Sequence, residues 1–198
     1  MSYSSKSNMG KKYAIAIAIV LAASVLVGFL ADFIITKIEY SVYKKPGEYA
    51  SFVDEYSEKY DVPQHIIYAV MKAESGFDRT ARSQDNAIGL MQMVEDTFME
   101  ITEERLHENL PFSSLYEPQI SIRYGTYYLS YLYKIYGNWS VVFAAYNAGL
   151  GNVNEWLASK EYSADGKTLD SIPFKETRKY VSRVERYIKK YDKLYPAQ

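Results

Sequence analysis

Apolar positions along this chain follow two distinct patterns. From Tyr13 to Ala31 they run as 19 uncharged residues rich in Ala, Ile, Val and Leu, enough for one helix to cross a bilayer. From Glu48 onward they recur at steps of three and four, the mark of amphipathic helices sharing a core. Tyr49, Phe52, Val53, Tyr56 and Tyr60 predict the first of these helices, and Val62 to Ser75 the second. Pro63 sits near the start of the second, where a missing N–H costs nothing, and Gly76 where a left-handed cap would close it. Phe98, Ile101 and Leu106 mark a short helix. Gln119 to Tyr136 predicts a long one, with Ile120, Tyr124, Tyr127, Tyr128, Tyr131, Leu132 and Ile135 on its inner side. Gly137 stops it and Asn138 can cap the next, whose stripe includes Val142, Ala145 and Tyr146. A short helix over Val153 to Ala158 follows. The last is the clearest, through Tyr180, Val181, Val184, Tyr187, Ile188, Tyr191 and Leu194. Phe77–Ile88 and Pro111–Pro118 read as loops, and Ser159–Pro173 as a small hairpin or ordered loop around Asp165-Gly166. The fold class is all-α, about seven to eight helices with very little strand.

Four segments follow from this pattern. Residues 1–12 are a polar, basic leader; 13–35 are a transmembrane anchor; 36–47 are a linker ending in Lys44-Lys45-Pro46-Gly47; 48–198 are one globular domain. Lys6, Lys11 and Lys12 precede the apolar stretch, whereas Asp32, Lys37 and Glu39 after it are mixed in sign. The positive-inside rule then predicts a single-pass protein of the cell membrane, N-terminus cytoplasmic and domain extracellular. The alternatives are a cleaved signal peptide, with secretion, and a buried helix of a soluble protein. Against the signal peptide, the stretch is long and no convincing small-x-small site follows it.

Composition narrows the chemistry. The chain has no Cys, which removes disulfides and thiolate metal sites. Its two His, His65 and His107, lie in no zinc-binding spacing. We expect no metal and no cofactor. A net charge of −1 gives no overall basic field for nucleic acid. The 21 Tyr suit sugar stacking and helix interfaces alike.

Glu74 is the candidate that changes the picture. Ile66, Ile67, Val70 and Met71 share a helical face, and Glu74 follows Val70 by four and Met71 by three. A stripe that should bury itself ends in an acid. Burial and the negative end of a helix dipole both raise a carboxyl pKa, which is how a general acid keeps its proton near neutrality. On position alone, a rim glutamate reaching water fits as well.

Five segments stand together in order: Glu74-Ser75-Gly76-Phe77, Ala81-Arg82-Ser83, Gly89-Leu90-Met91-Gln92, Ala145-Tyr146-Asn147-Ala148-Gly149, and Ile172-Pro173-Phe174-Lys175-Glu176-Thr177-Arg178-Lys179-Tyr180-Val181. In that order and spacing the chain, from about Tyr49 to Tyr191, resembles the lytic transglycosylases of the soluble-lytic-transglycosylase type, which share a lysozyme-like fold with goose-type lysozyme. The resemblance implies that Glu74 is the catalytic acid and that Ser83, Gln92, Tyr146, Asn147 and Glu176 bind substrate, Tyr146 and Asn147 facing the glutamate. Four of the binding residues have a plainer local reading. Tyr146 fits core packing with its hydroxyl on a partner such as a carboxyl. Asn147 fits a helix end, Gln92 a brace for loop backbone, and Glu176 a first-turn acid. Two positions depart from the family pattern: Val94 and Glu95 stand where many members have methionine and proline.

The resemblance also implies the reaction. The partners are peptidoglycan glycan strands, with the membrane through the anchor and unidentified envelope proteins beside them. Glu74 would cleave the bond between N-acetylmuramic acid and N-acetylglucosamine, leaving a 1,6-anhydro end in cell-wall remodelling. A goose-lysozyme-like muramidase hydrolysing the same bond, a non-catalytic wall-binding subunit and a chitin-cleaving enzyme are the alternatives. Asp78, Asp85 and Glu95 are loop candidates for the second carboxylate that hydrolysis commonly uses.

Overall fold

The computed structural model describes residues 3–195, with side-chain surroundings from residue 11. Residues 1 and 2 of the basic leader, the Lys6 side chain and the last three residues of the domain lie outside it. The chain divides into two units, Met1–Lys44 and Lys45–Gln198.

The first unit is a single helix, α1, Tyr3–Val42, so residues 36–42, read from sequence as linker, are helical. Its Lys11–Val42 stretch of 32 residues is long and apolar enough to cross a membrane. Large apolar side chains along it, including Leu26, Val27 and Phe29, are exposed.

The second unit is all-α. Its α-helices are α2 (Ala50–Tyr60), α3 (Gln64–Glu74), α4 (Glu95–Met99), α5 (Pro118–Tyr136), α6 (Trp139–Ala148), α7 (Leu150–Ala158) and α8 (Lys175–Leu194). Short 3-10 turns cover Gly47–Tyr49 and Phe112–Tyr116. α4 runs on into a wide π turn, Glu100–Arg105, closed by Leu106 N–H donating to Ile101 O at 2.9 Å. Extended pairing among the described residues is confined to two isolated bridges, Arg82 with Ile88 and Ile88 with Met93. The expected all-α class and helix number are borne out.

α5 is the central helix. It packs against α2, against α6 and against the 3-10 turn before it, while α8 packs on α3 and α6. Neighbours on several sides bury Ile122, Tyr124, Leu129 and Leu132, together with the small residues Ser121, Gly125 and Thr126. This corrects the predicted inner face: Ile135, near the C-terminal end, is 46% exposed, and Ile120 and Tyr127 are half-buried. Large side chains mark a helix face in sequence, but close approach is made by small ones. A Cβ on Gly125 would fall 2.6 Å from the Met91 side chain. The 159–173 segment is an ordered loop, where Asp165 accepts from the N–H groups of Lys167 and Thr168, each at 2.8 Å.

Candidate active site

Glu74 is the last residue of α3. Ser75 fixes that helix end: its hydroxyl donates to Leu90 O at 2.9 Å and accepts from Phe77 N–H at 3.1 Å. Gly76 then takes φ +62, the left-handed conformation expected of it. The Gly89–Gln92 loop faces this end. Gly89 N–H donates to Ala81 O at 3.0 Å, and Met91 N–H donates to Ser121 Oγ at 3.1 Å. Gly89 has φ +80, and a Cβ there would sit 2.1 Å from Leu115 O, so both conformation and space require glycine.

The carboxyl of Glu74 is walled in by protein while part of the residue opens to a cleft. Tyr180, one turn into α8, donates its hydroxyl to Glu74 Oε1 at 2.5 Å. Burial pushes the Glu74 pKa from 4.5 to about 7; the Tyr180 hydrogen bond and the charge of Arg183 pull the other way and lose. Burial, and next the nearby Glu74 charge, raise both Tyr146 and Tyr180 well above the ordinary phenol range. Both therefore remain hydrogen-bond donors when Glu74 titrates.

The cleft has a volume of about 400 Å³, and Glu74, Ser83, Gln92, Tyr146, Asn147 and Glu176 all line it. These six span three helices and the loop that joins α3 to α4, yet they converge. Ser83 and Asn147 are exposed at the cleft, and the Ser83 hydroxyl accepts from Ala87 N–H at 3.0 Å. Glu176 lies in the first turn of α8, exposed, where the helix dipole favours an acid. Gln92 lines the cleft and also braces the loop: its Nε2 donates to Ala81 O and Gly89 O, each at 3.0 Å, from a backbone at φ +47. The Tyr146 hydroxyl, which a carboxyl would have served as a partner, donates instead to Met91 O at 2.8 Å. Ser121 and Tyr146 thus hold the main chain of Met91 at its N–H and its carbonyl.

Two features escape a reading of the sequence, the contact of Tyr180 with Glu74 and the place of Tyr128 on the cleft wall, whereas Asp85 is one of the loop acids the sequence offers as a second carboxylate. Tyr180 looks like one more core residue in the α8 stripe, and only the packing of α8 on α3 brings its hydroxyl to Glu74. Asp85 lines the cleft, as does Tyr128, whose ring lies 5.4 Å from that of Tyr146. The other loop acids are placed differently. Asp78 is exposed and accepts from Thr80 Oγ1 at 2.7 Å and Thr80 N–H at 2.8 Å, which lowers its pKa. Glu95 opens α4, beside Val94, which lines the cleft and is 39% exposed. Among the described residues no group of three or more His, Cys, Asp or Glu is placed to hold a metal ion.

Comparison with known proteins agrees with this geometry. The soluble lytic murein transglycosylase of Escherichia coli K12 is 34% identical over 147 residues, covering 72% of this chain and 22% of its own length. The membrane-bound lytic murein transglycosylase C of Serratia proteamaculans is 32% identical over 170 residues, covering 75% of this chain and 48% of its own. An inactive Glu-to-Gln mutant of the lytic transglycosylase Slt from Pseudomonas aeruginosa superposes with a TM-score of 0.65 at 30% identity, over 77% of this chain and 25% of that one. The 70-kDa soluble lytic transglycosylase in complex with bulgecin A gives 0.66 at 29% identity, over the same 77% and 25%. The chain spans about a quarter of the length of the soluble relatives and about half of the membrane-bound one. The transglycosylase SLT domain model matches residues 51–169, ending before the Ile172–Val181 segment. With that match over more than half its length, on a lysozyme-like helical fold, the chain belongs to the transglycosylase SLT domain family.

Proposed function

We propose that this chain is a peptidoglycan lytic transglycosylase. The observation that carries the reading is one carboxyl, Glu74, holding its proton up to about pH 7 inside a cleft of polar side chains. Glu74 gives its proton to the glycosidic oxygen as the bond from C1 of N-acetylmuramic acid breaks and N-acetylglucosamine leaves. The acetamido group of the substrate stabilises the cation at C1. Glu74, now ionised, takes the proton of the C6 hydroxyl as that oxygen closes on C1. The 1,6-anhydro ring forms, no water is consumed, and Glu74 ends as it began. A pKa near neutrality suits both halves of this cycle.

Tyr180, behind Glu74, and the other residues lining the cleft bind and orient. Tyr180 fixes the Glu74 carboxyl by holding Oε1. Gln92 has its NH₂ committed to loop carbonyls, which leaves its oxygen for a sugar hydroxyl. Ser83, Asn147 and Glu176 offer further polar groups along the walls. The Pseudomonas relative, inactive with a single Glu-to-Gln exchange, fits a chemistry carried by one carboxyl.

The apolar span in α1 fits a membrane anchor, as does the likeness to a membrane-bound relative. The basic residues before it favour a cytoplasmic N-terminus and an outer face for residues 48–198, close to the membrane. Glu74→Gln tests the assignment: the variant folds, and clearing of purified sacculi falls by about a thousandfold or more. A folded variant that clears sacculi at the normal rate overturns the function. A second reading, hydrolysis of the same bond, draws on Asp85, which adds a carboxyl to the cleft wall. The products distinguish the two.

A further inference from the structure

The three helices that carry the Glu74 cleft meet again further along. At the cleft, Glu74 ends α3, Tyr146 and Asn147 lie in the last turn of α6, and Glu176 opens α8. Toward their other ends the same three helices enclose a second pocket, of about 420 Å³, which Ile66, Trp139, Phe143 and Ile188 line with apolar surface. No residue lines both it and the cleft. Along α3 roughly 12 Å separates Ile66 from Glu74. Ile66 and Phe143 are buried, whereas Trp139 and Ile188 are half-buried. The rings of Tyr133 and Phe143 stack with that of Trp139, at 4.3 and 5.8 Å between centres and each 21° from parallel. The indole is held in place before any ligand arrives, so little side-chain freedom is lost on binding.

His65, Ser140, Glu185 and Lys189 bring polar groups to the same pocket. Among the described residues, none of these four side chains, nor the Trp139 indole N–H, has a hydrogen bond or ion pair within the chain. Their charges cancel. Glu185 and Lys189 stand one turn apart on α8, and burial, against the weaker pull of Asp192, lowers the His65 pKa, so its ring is neutral at pH 7. The pocket therefore favours neither an anion nor a cation. Apolar surface with a few unused donors and acceptors converging on it is the make-up of a small-ligand site, and the volume lies in the usual range of roughly 300–1,000 Å³.

We infer that this distal pocket is a second, non-catalytic site, which binds an N-acetylated sugar ring of a glycan strand. The inference rests on the transglycosylase reading, which makes such strands the polymer this chain meets. The chemistry of the pocket selects the occupant. A pyranose ring is uncharged, has an apolar C–H face to lie against Trp139 and Ile188, and carries hydroxyl and acetamido groups that need donors and acceptors at its edge. Glu185 accepts, Lys189 and the Trp139 N–H donate, and Ser140 does both. A strand held here keeps the chain on an insoluble polymer while the cleft releases one cut and takes up the next.

The test uses the full chain carrying Glu74→Gln, with its two tryptophans labelled with nitrogen-15, in micelles of a detergent without a sugar headgroup. Each indole N–H gives one NMR signal, and Trp139→Phe identifies that of Trp139. Tetra-N-acetylchitotetraose moves the Trp139 signal to saturation. Adding Glu185→Ala with Lys189→Ala weakens that response by about fivefold or more, with the circular dichroism unchanged. A Trp139 signal that stays still overturns the inference. So does a response that survives the double exchange, because it then arises elsewhere, and so does a free stem peptide that moves the signal where the sugar does not. Clearing of sacculi by the parent chain reports on the proposed function separately. Normal clearing with a still Trp139 loses the site and keeps the function; a sugar response at Trp139 without clearing keeps the site and loses the function.

Discussion

Replacing Glu74 by Gln makes the protein more stable at neutral pH and leaves it unchanged in acid. The carboxyl has a pKa of about 7 in the folded state against 4.5 for the free group. The unfolded chain ionises near 4.5 and the folded one only near 7, so between those values the unfolded state holds fewer protons. Stability is therefore full below about pH 4.5 and is lost progressively until pH passes 7. A rise from 4.5 to about 7 is worth about 3 kcal/mol, the order of magnitude of the cost at pH 8. Gln does not ionise and keeps an oxygen to accept from Tyr180, so it avoids this cost without opening a cavity. Urea unfolding of the full chain in detergent micelles measures the difference. Both tryptophans, Trp139 and Trp156, lie outside α1, so their fluorescence follows the second unit alone. Glu74→Gln is expected to be roughly 2–3 kcal/mol more stable than the parent at pH 8, and equal to it at pH 4. Equal stability at both pH values, or a loss at pH 8, refutes the argument that burial raises this carboxyl.

Removing the Tyr180 hydroxyl, by Tyr180→Phe, takes away a hydrogen bond that favours the charged form of Glu74, so its pKa rises further. At roughly 1.5–3 kcal/mol for a bond to a charged group, the alkaline limb of the pH–rate profile moves up by about one to two pH units; a limb that stays put contradicts the role given to Tyr180. Gly89→Ala forces a side chain to φ +80 and within 2.1 Å of Leu115 O, against backbone held by Ala81 and Ser121. A loss of about 3 kcal/mol, or roughly 10 °C in Tm, is expected by calorimetry, and a neutral result shows that the loop is free to shift. Tyr146→Phe frees Met91 O, costing about 1 kcal/mol in urea unfolding; no cost means that the carbonyl finds another partner.

Local periodicity carried much of the fold because most helices here bury one stripe. The stripes of α3 and α8 reappear as buried faces, and Pro63, Gly76, Gly137 and Asn138 act at helix ends as their chemistry suggests. Periodicity misplaces the inner face of α5, which is enclosed on several sides, so Ser121 and Gly125 matter more there than Ile135. Glu74 was legible because an acid closing an apolar stripe is anomalous. Its partner was not, since Tyr180 lies 106 residues away and sits in an ordinary α8 stripe. Tyr146 shows the same limit from the other side: its burial implied a hydrogen-bond partner, but only the loop geometry selects Met91 O over a carboxylate. The five sequence segments meet at one cleft because α3, α6, α8 and the loops between them are brought together by long-range packing.

The central claim is that one carboxyl, with no water consumed, breaks the glycan strand. Mass spectrometry of fragments released from purified peptidoglycan, before and after borohydride reduction, tests it most directly. The account predicts muramic acid ends one water lighter than the hydrolysis product and inert to borohydride. Ends of full mass that take up hydride would contradict it and assign the cleft to hydrolysis.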